Sequence, residues 1–316
     1  MSLKKFCFNV HGKYGDFSPL TLYQDQCLKQ VACLHNINDK TRMLGLSNLS
    51  SGTVRLYDLN LCSEIVELDC ESGRSTQLQM ASESNLLVSS DNNCLISVFD
   101  TRVKSLISQF KIFKNSEELP ISMDLEDTTL LLGTSEGPVT LDLRKPVADP
   151  CPTKYTGDYY KVSYLTHSSS KIVTGKIGAG VVHLLNSTAG EEGEIERFEV
   201  DSRGQIVDLD VCKDTGEIAV VYKREELVED PVHSLGNSRL MILEPAHGKD
   251  RRELKIRDDF SVGSNVLRVG FTSGMEVCVV TEADWSVYSC RNDHFVKVLS
   301  EKVARKFSGA GLSKRA

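Results

Sequence analysis

An aspartate recurs at a fixed interval along this chain. The segments VRLYDLN, ISVFDTR and VTLDLRK each run through apolar residues into an acid and a turn, and the acids, Asp58, Asp100 and Asp142, are 42 residues apart both times. An interval of that size is too long for any period inside a helix or a strand, so it counts whole supersecondary units. The segments between the acids are short runs with strong β propensity. Few stretches carry apolar residues at the i, i+3, i+4 and i+7 spacing that a helix needs. The chain reads as all-β.

Each acid closes a unit of the same internal order, in which an apolar strand, a polar turn, a second strand, a tight turn and an acid-bearing third strand follow one another. The strands predicted are Gln30–Leu34, Arg42–Ser47 and Thr53–Tyr57 in the first unit, Thr76–Ala81, Leu86–Ser90 and Cys94–Phe99 in the second, and Ile121–Leu125, Leu130–Thr134 and Val139–Leu143 in the third. The turns between second and third strands, LSNLSSGT, SDNN and SEGP, are rich in the residues that tolerate hairpin geometry. A fourth strand follows each acid, at Glu64–Asp69, Leu106–Ile112 and Pro152–Tyr155. Three looser units continue the pattern with third strands at Val181–Leu185, Arg239–Leu243 and Ser286–Cys290, and fourth strands at Ile195–Val200, Glu253–Ile256 and Phe295–Leu299. Four-stranded units of about 40–45 residues are the spacing of β-propeller blades, small sheets that bury their faces only against neighbours.

GTVRLYDL, NCLISVFDTR and EGPVTLDLR resemble the third strands of WD-repeat blades, which end on an aromatic and an aspartate position, and the chain is identified from about residue 28 to 300 as a divergent member of that family. The resemblance implies a propeller of four-stranded antiparallel blades closed by an N-terminal strand that completes the last blade, with Phe6–Val10 and Leu20–Tyr23 as candidates. The length of 316 residues divided by the repeat gives about seven blades, and six is the alternative. Residues 1–301 are assigned to the propeller and 302–316 to a basic tail, which could also form part of the closing blade.

The resemblance also implies a job. WD-repeat proteins serve as assembly platforms, so a non-enzymatic scaffold in a multiprotein complex is expected, with other proteins as partners. Two of the recurring acids belong to Asp-x-Arg triplets on consecutive units, Asp100-Thr101-Arg102 and Asp142-Leu143-Arg144. Such pairs resemble the box through which some WD-repeat substrate receptors dock onto the adaptor of cullin–RING ubiquitin ligases. Arginine suits that task because its planar fork pairs bidentately with carboxylates and carbonyls. The bland alternative is that each carboxylate only fixes its own turn. A second candidate surface is the long insertion Lys223–Asn237, where Leu227, Val228, Val232 and Leu235 stand as apolar anchors among acids.

The remaining features narrow the field. Apolar residues at 40% and charged residues at 26% exclude disorder over the whole chain. The apolar stretches are strand-sized, far short of a bilayer span, and no secretory h-region follows Lys4 and Lys5, so no membrane association and a cytosolic or nuclear location are expected. The net charge is −7, and residues 302–316 carry five cations and no acid, which leaves 32 − 44 = −12 on the rest. Nucleic acid is therefore disfavoured as a partner except weakly through the tail. Ten cysteines show no zinc-ligand spacing, and Cys33, Cys94, Cys212, Cys278 and Cys290 lie in apolar segments as reduced thiols. The glycines of Gly175–Gly180 lack the Lys-Ser/Thr and helix of a phosphate loop and read as a hairpin turn. No histidine spacing or nucleophile elbow supports catalysis, and no cofactor is expected.

Overall fold

A computed structural model describes residues 2–5, 20–24, 28–33, 43–48, 53–58, 63–70, 75–81, 85–91, 93, 95–111, 122–134, 137–145, 151–152, 160–164, 171–176, 180–186, 194–201, 204–212, 214–224, 238–245, 254–263, 265–271, 276–281, 284–291 and 294–302. Among these, every regular element is a strand. The chain divides into two compact units, Met1–Val162 and Ser163–Ala316.

The first unit opens with a two-stranded ribbon of β1 (Ser2–Lys5) and β2 (Leu20–Gln24). Sheet one follows with β3 (Leu28–Cys33), β4 (Met43–Asn48), β5 (Thr53–Asp58) and β6 (Ser63–Asp69). Sheet two holds β7 (Ser75–Ala81), β8 (Leu86–Asp91), β9 (Leu95–Asp100) and β10 (Ser105–Lys111), and sheet three β11 (Ser122–Glu126), β12 (Thr129–Thr134), β13 (Gly137–Asp142) and β14 (Cys151–Pro152). The unit boundary falls within β15 (Tyr160–Tyr164), which opens sheet four with β16 (Lys171–Lys176), β17 (Val181–Asn186) and β18 (Glu194–Glu199). Sheet five holds β19 (Gly204–Val211), β20 (Ile218–Arg224), β21 (Ser238–Pro245) and β22 (Leu254–Gly263). Sheet six holds β23 (Val266–Phe271), β24 (Glu276–Thr281), β25 (Asp284–Arg291) and β26 (His294–Lys302). Every sheet pairs its strands in chain order, as expected of units joined by short turns.

The expected units thus appear as six four-stranded antiparallel sheets, and Asp58, Asp100 and Asp142 are the last residues of β5, β9 and β13. Leu20–Tyr23 lies in β2, whereas Phe6–Val10 falls outside the described residues. Among the described residues β1 pairs with β2, and that ribbon is what stands beside the six complete sheets.

Period-2 alternation explains how the sheets stack. In β20, Ile218, Val220 and Tyr222 pack into a cluster with Val173, Val182 and Leu184 of sheet four. The intervening Ala219 and Val221 enter a second cluster with Val269, Val277 and Val279 of sheet six. A strand buried on both faces reads as a continuous apolar run, which is why IAVVY shows no polar alternation. The first unit repeats the arrangement. Leu87 and Phe99 of sheet two join Val54 and Leu56 of sheet one, while Val88, Ile96 and Val98 join Leu130, Leu132 and Val139 of sheet three. Each core therefore lies between sheets, and no sheet supplies one alone.

Candidate functional site

The third-to-fourth-strand turns of sheets two and three are built alike. β9 ends on Asp100, whose carboxylate accepts a hydrogen bond from the Arg102 backbone N–H at 2.8 Å, and Lys104 N donates to the Asp100 carbonyl at 2.8 Å. Thr101 N and its hydroxyl both donate to Asn85 O, at 2.9 and 3.0 Å, which pins this turn to the one between β7 and β8. In sheet three Arg144 N donates to Asp142 Oδ1 at 3.0 Å, Lys145 N to Asp142 O at 3.1 Å, and Leu143 N to Thr128 O at 2.8 Å. Asn85 and Asp127, again offset by 42 residues, hold positive φ at 56° and 50°. Asn and Asp tolerate that conformation best among residues with a Cβ.

Each arginine then folds back on the acid two residues before it. Arg102 donates through Nε to Asp100 Oδ1 at 3.1 Å and through Nη2 to Oδ2 at 2.7 Å. Arg144 donates to Asp142 in the same way, at 2.9 and 2.8 Å. The acids are shielded, with side chains 12% and 22% exposed, but the arginine side chains are 66% and 70% exposed. Hydrogen bonding from the arginine, aided by the turn N–H, holds both carboxyls at about 2, well below the usual carboxylate range, against the opposing effect of burial. Two of each guanidinium's five N–H bonds are used internally, and Nη1 with the second Nη2 hydrogen is left facing outward. The expected turn-fixing role is what these two acids perform, and both arginines are displayed in a fixed orientation while performing it.

Among the described residues the fork is formed in the two consecutive sheets two and three. In the sequence no arginine stands two residues after Asp58, Asn186, Glu244 or Arg291, the residues at the equivalent position of the other sheets. Leu227, Val228, Val232 and Leu235 of the long insertion lie outside the described residues, as does the chain beyond Lys302. Of the glycine run, Lys176 closes β16 and Gly180 precedes β17, and these strands pair as a hairpin. Of the acidic stretch Glu191–Glu199, the part Glu194–Glu199 is β18, the outer strand of sheet four.

Other polar residues hold the sheets together and were not singled out by spacing. Asp208 and Asp210 of β19 accept the backbone N–H groups of Val269 and Phe271 in β23, at 3.0 and 2.7 Å. Gln79 Nε2 of β7 donates to Asp124 Oδ1 of β11 at 3.2 Å. Arg257 of β22 contacts the buried Glu217, donates to Cys290 Sγ at 3.1 Å, and lies over the Phe295 ring. Among the described residues no group of three or more His, Cys, Asp or Glu side chains could hold a metal ion. No described helix is long and apolar enough to cross a membrane. Cys70, Cys212, Cys278 and Cys290 form no disulfide; Cys70 and Cys212 are buried, and burial pushes the Cys70 thiol up to about 11.

No family model and no curated protein sequence matches the chain. Solved structures do. The β-propeller domain of Cps50 (Swd1) from Myceliophteria thermophila superposes with a TM-score of 0.64 at 15% identity, covering 87% of this chain and 89% of that one. A chain of the mitotic checkpoint complex gives 0.64 at 15%, covering 89% and 79%. A chain of Kuenenia stuttgartiensis hydrazine synthase gives 0.66 at 13%, covering 89% and 80%. The last belongs to an enzyme, so the shared architecture does not by itself separate scaffolds from catalysts. The resemblance seen in the repeats is met at the level of the fold: this chain is a β-propeller of four-stranded antiparallel blades.

Proposed function

We propose that the chain is a non-enzymatic protein-interaction scaffold, a subunit that holds partners in a multiprotein complex of the cytosol or nucleus. The observation that carries this reading is the pair of arginines at Arg102 and Arg144, exposed yet immobilised by bidentate bonds to shielded acids. An arginine in free solution loses about 0.5–1.5 kcal/mol when an interface orders it. These two are ordered before any partner arrives, which favours binding without new contacts. The neighbour drawn from a checkpoint complex fits such a role, and the four described cysteines, free of any disulfide, suit a reducing compartment.

The geometry favours one finer reading, that the chain is a substrate receptor docking onto a cullin–RING ligase adaptor through both Asp-x-Arg turns. The outward N–H groups of Arg102 and Arg144 suit carbonyl or carboxylate acceptors on such an adaptor. Crosslinking and affinity purification of the wild type beside Arg102→Ala/Arg144→Ala tests both. Stable co-purifying proteins support the scaffold, and recovery of none sinks it. An adaptor that is present with the wild type and absent with the double variant supports the receptor reading. Equal recovery of the adaptor with both chains rejects it.

A further inference from the structure

Each Asp–Arg pair at the two turns is electrically neutral, so the remaining charge there is that of the exposed Lys104 and Lys145, set against the exposed Asp127 near Arg144. Between Arg102 and Lys104 stands Val103, 67% exposed, the most exposed large hydrophobic among the described residues. Turn geometry does not ask for these residues. A turn apex ordinarily takes Gly, Asn, Asp or Ser, and Lys104 itself holds φ of +56°, where glycine would be relaxed. Four residues on, the ladder between β10 and β9 passes from Leu106 opposite Phe99 to Ser108 opposite Val98. The bulge leaves Ile107 outside the ladder and 55% exposed. Sheets two and three share one core, so the two turns occupy equivalent ends of a packed pair.

We propose that these turns form a docking platform for an acidic segment of a partner protein that carries aliphatic side chains. The segment's carboxylates meet Lys104, Lys145 and the outward N–H groups of Arg102 and Arg144, and its aliphatic residue covers Val103 and Ile107. This rests on the scaffold reading and names the chemistry of what is held. Charge decides the class of partner. Four cations offset by Asp100, Asp142 and the exposed Asp127 are too few for the phosphate neutralisation on which nucleic-acid affinity depends, and Val103 and Ile107 offer a phosphate nothing. The chain outside its last fifteen residues is strongly acidic, so an acidic segment is repelled across most of the surface and admitted at this platform. The platform stops at sheet two, because the turn after Asp58 has no cation.

Selection of a random dodecapeptide phage library on the full chain tests the proposal. The expected outcome is enrichment of peptides rich in Asp and Glu with interspersed Leu, Ile or Val. In fluorescence anisotropy their affinity falls about tenfold in Lys104→Glu/Lys145→Glu, which leaves both Asp–Arg pairs in place, and about threefold in Val103→Ser, which leaves every charge in place. Unchanged circular dichroism and melting confirm that the variants fold. Enriched peptides without acidic bias, or with affinity indifferent to both variants, overturn the platform and leave the scaffold reading standing. No enriched peptide and no crosslinked partner overturn both. A 20-base-pair DNA duplex and phosphatidylserine vesicles are measured on the same variants. Should the lysine variant lose DNA or vesicles while peptide binding is unaffected, the surface reads phosphate, and the proposal fails.

Discussion

Asp100 shows how much one side chain decides at the residue scale. Its carboxylate accepts the Arg102 backbone N–H and both arms of the Arg102 fork. Replacing it by alanine strips a shielded turn N–H of its acceptor and frees the guanidinium. Asp100→Ala is expected to cost about 1–3 kcal/mol in urea denaturation, against less than about 1 kcal/mol for Arg102→Ala, whose guanidinium stays in water. The same carboxyls predict an acid limb. Held at about 2 in the fold and near 3.9 in the unfolded chain, Asp100 and Asp142 bind protons more readily unfolded. Their contribution is therefore complete above the unfolded value and lost as pH falls through the folded one. Stability followed from pH 5 to pH 2 should drop less steeply in Asp100→Asn/Asp142→Asn than in the wild type; parallel curves would show that other groups govern the limb. Gly180 is decisive for a different reason. A Cβ there would collide with the Asp201 carbonyl and stand 2.7 Å from that of Gly204, in a turn where Val200 N donates to Gly180 O at 2.7 Å. Backbone cannot yield as a side-chain tip does, so Gly180→Ala should lower stability by about 1–3 kcal/mol, measurable as a fall in melting temperature.

At the scale of elements, the outer strands share a device. The register slips by one residue in β6, β10, β18 and β26 and twice in β22, leaving Ile65, Ile107, Ile195, Val298, Arg257 and Val262 outside their ladders. A bulge twists an edge strand away from foreign partners. Five of these six residues are aliphatic, but the first in β22 is Arg257, turned inward onto Glu217. The Glu217 side chain is 3% exposed, so Arg257→Ala leaves a buried carboxylate without its counter-charge and is expected to cost about 3–5 kcal/mol. Arg257→Met/Glu217→Leu should recover most of that loss in the same denaturation assay. If the double variant is no better than the single, the pair is not what holds the site. These bulges also mark where reading the sequence failed. The strands themselves were legible, because alternation, β-branched runs and turn residues are local signals. The last strand of sheet five was expected to end at Ile256 yet runs to Gly263, since the bulge at Arg257 breaks the alternation that a period-2 reading follows. Of the last strand of sheet three, expected over Pro152–Tyr155, Pro152 lies in β14 and residues 153–155 fall outside the described residues. The Asp-x-Arg forks were visible because acid and arginine are two residues apart. The partners of Glu217 and Asp208 lie 40 and 61 positions away, and nothing in local spacing announces them.

At the scale of the whole molecule, stability within each compact unit is a chain of sheet-to-sheet contacts. In Ser163–Ala316, sheet five gives one face to sheet four and the other to sheet six, and among the described residues of that unit the buried core of sheet six is shared with sheet five. Two hydrogen bonds reinforce that contact, a buried one from Val269 N to Asp208 and a part-buried one from Phe271 N to Asp210. Asp208 reaches across while its strand's own backbone bonds stay within the ladder to β20, so the clasp is a connection that neither sheet makes alone. Units that lean only on neighbours behave as a nearest-neighbour series, in which a weakened contact releases the module beyond it before the modules behind. Asp208→Ala/Asp210→Ala should therefore lower the opening free energy of sheet six amides, read by hydrogen exchange, by about 1–3 kcal/mol for each lost acceptor. Amides of β16 and β17 should be affected less. Faster exchange confined to Val269 and Phe271 would make the clasp a local cap. An equal loss across sheets four, five and six would show that the unit opens as one block, and that the stacking is more cooperative than a series of contacts between neighbouring sheets.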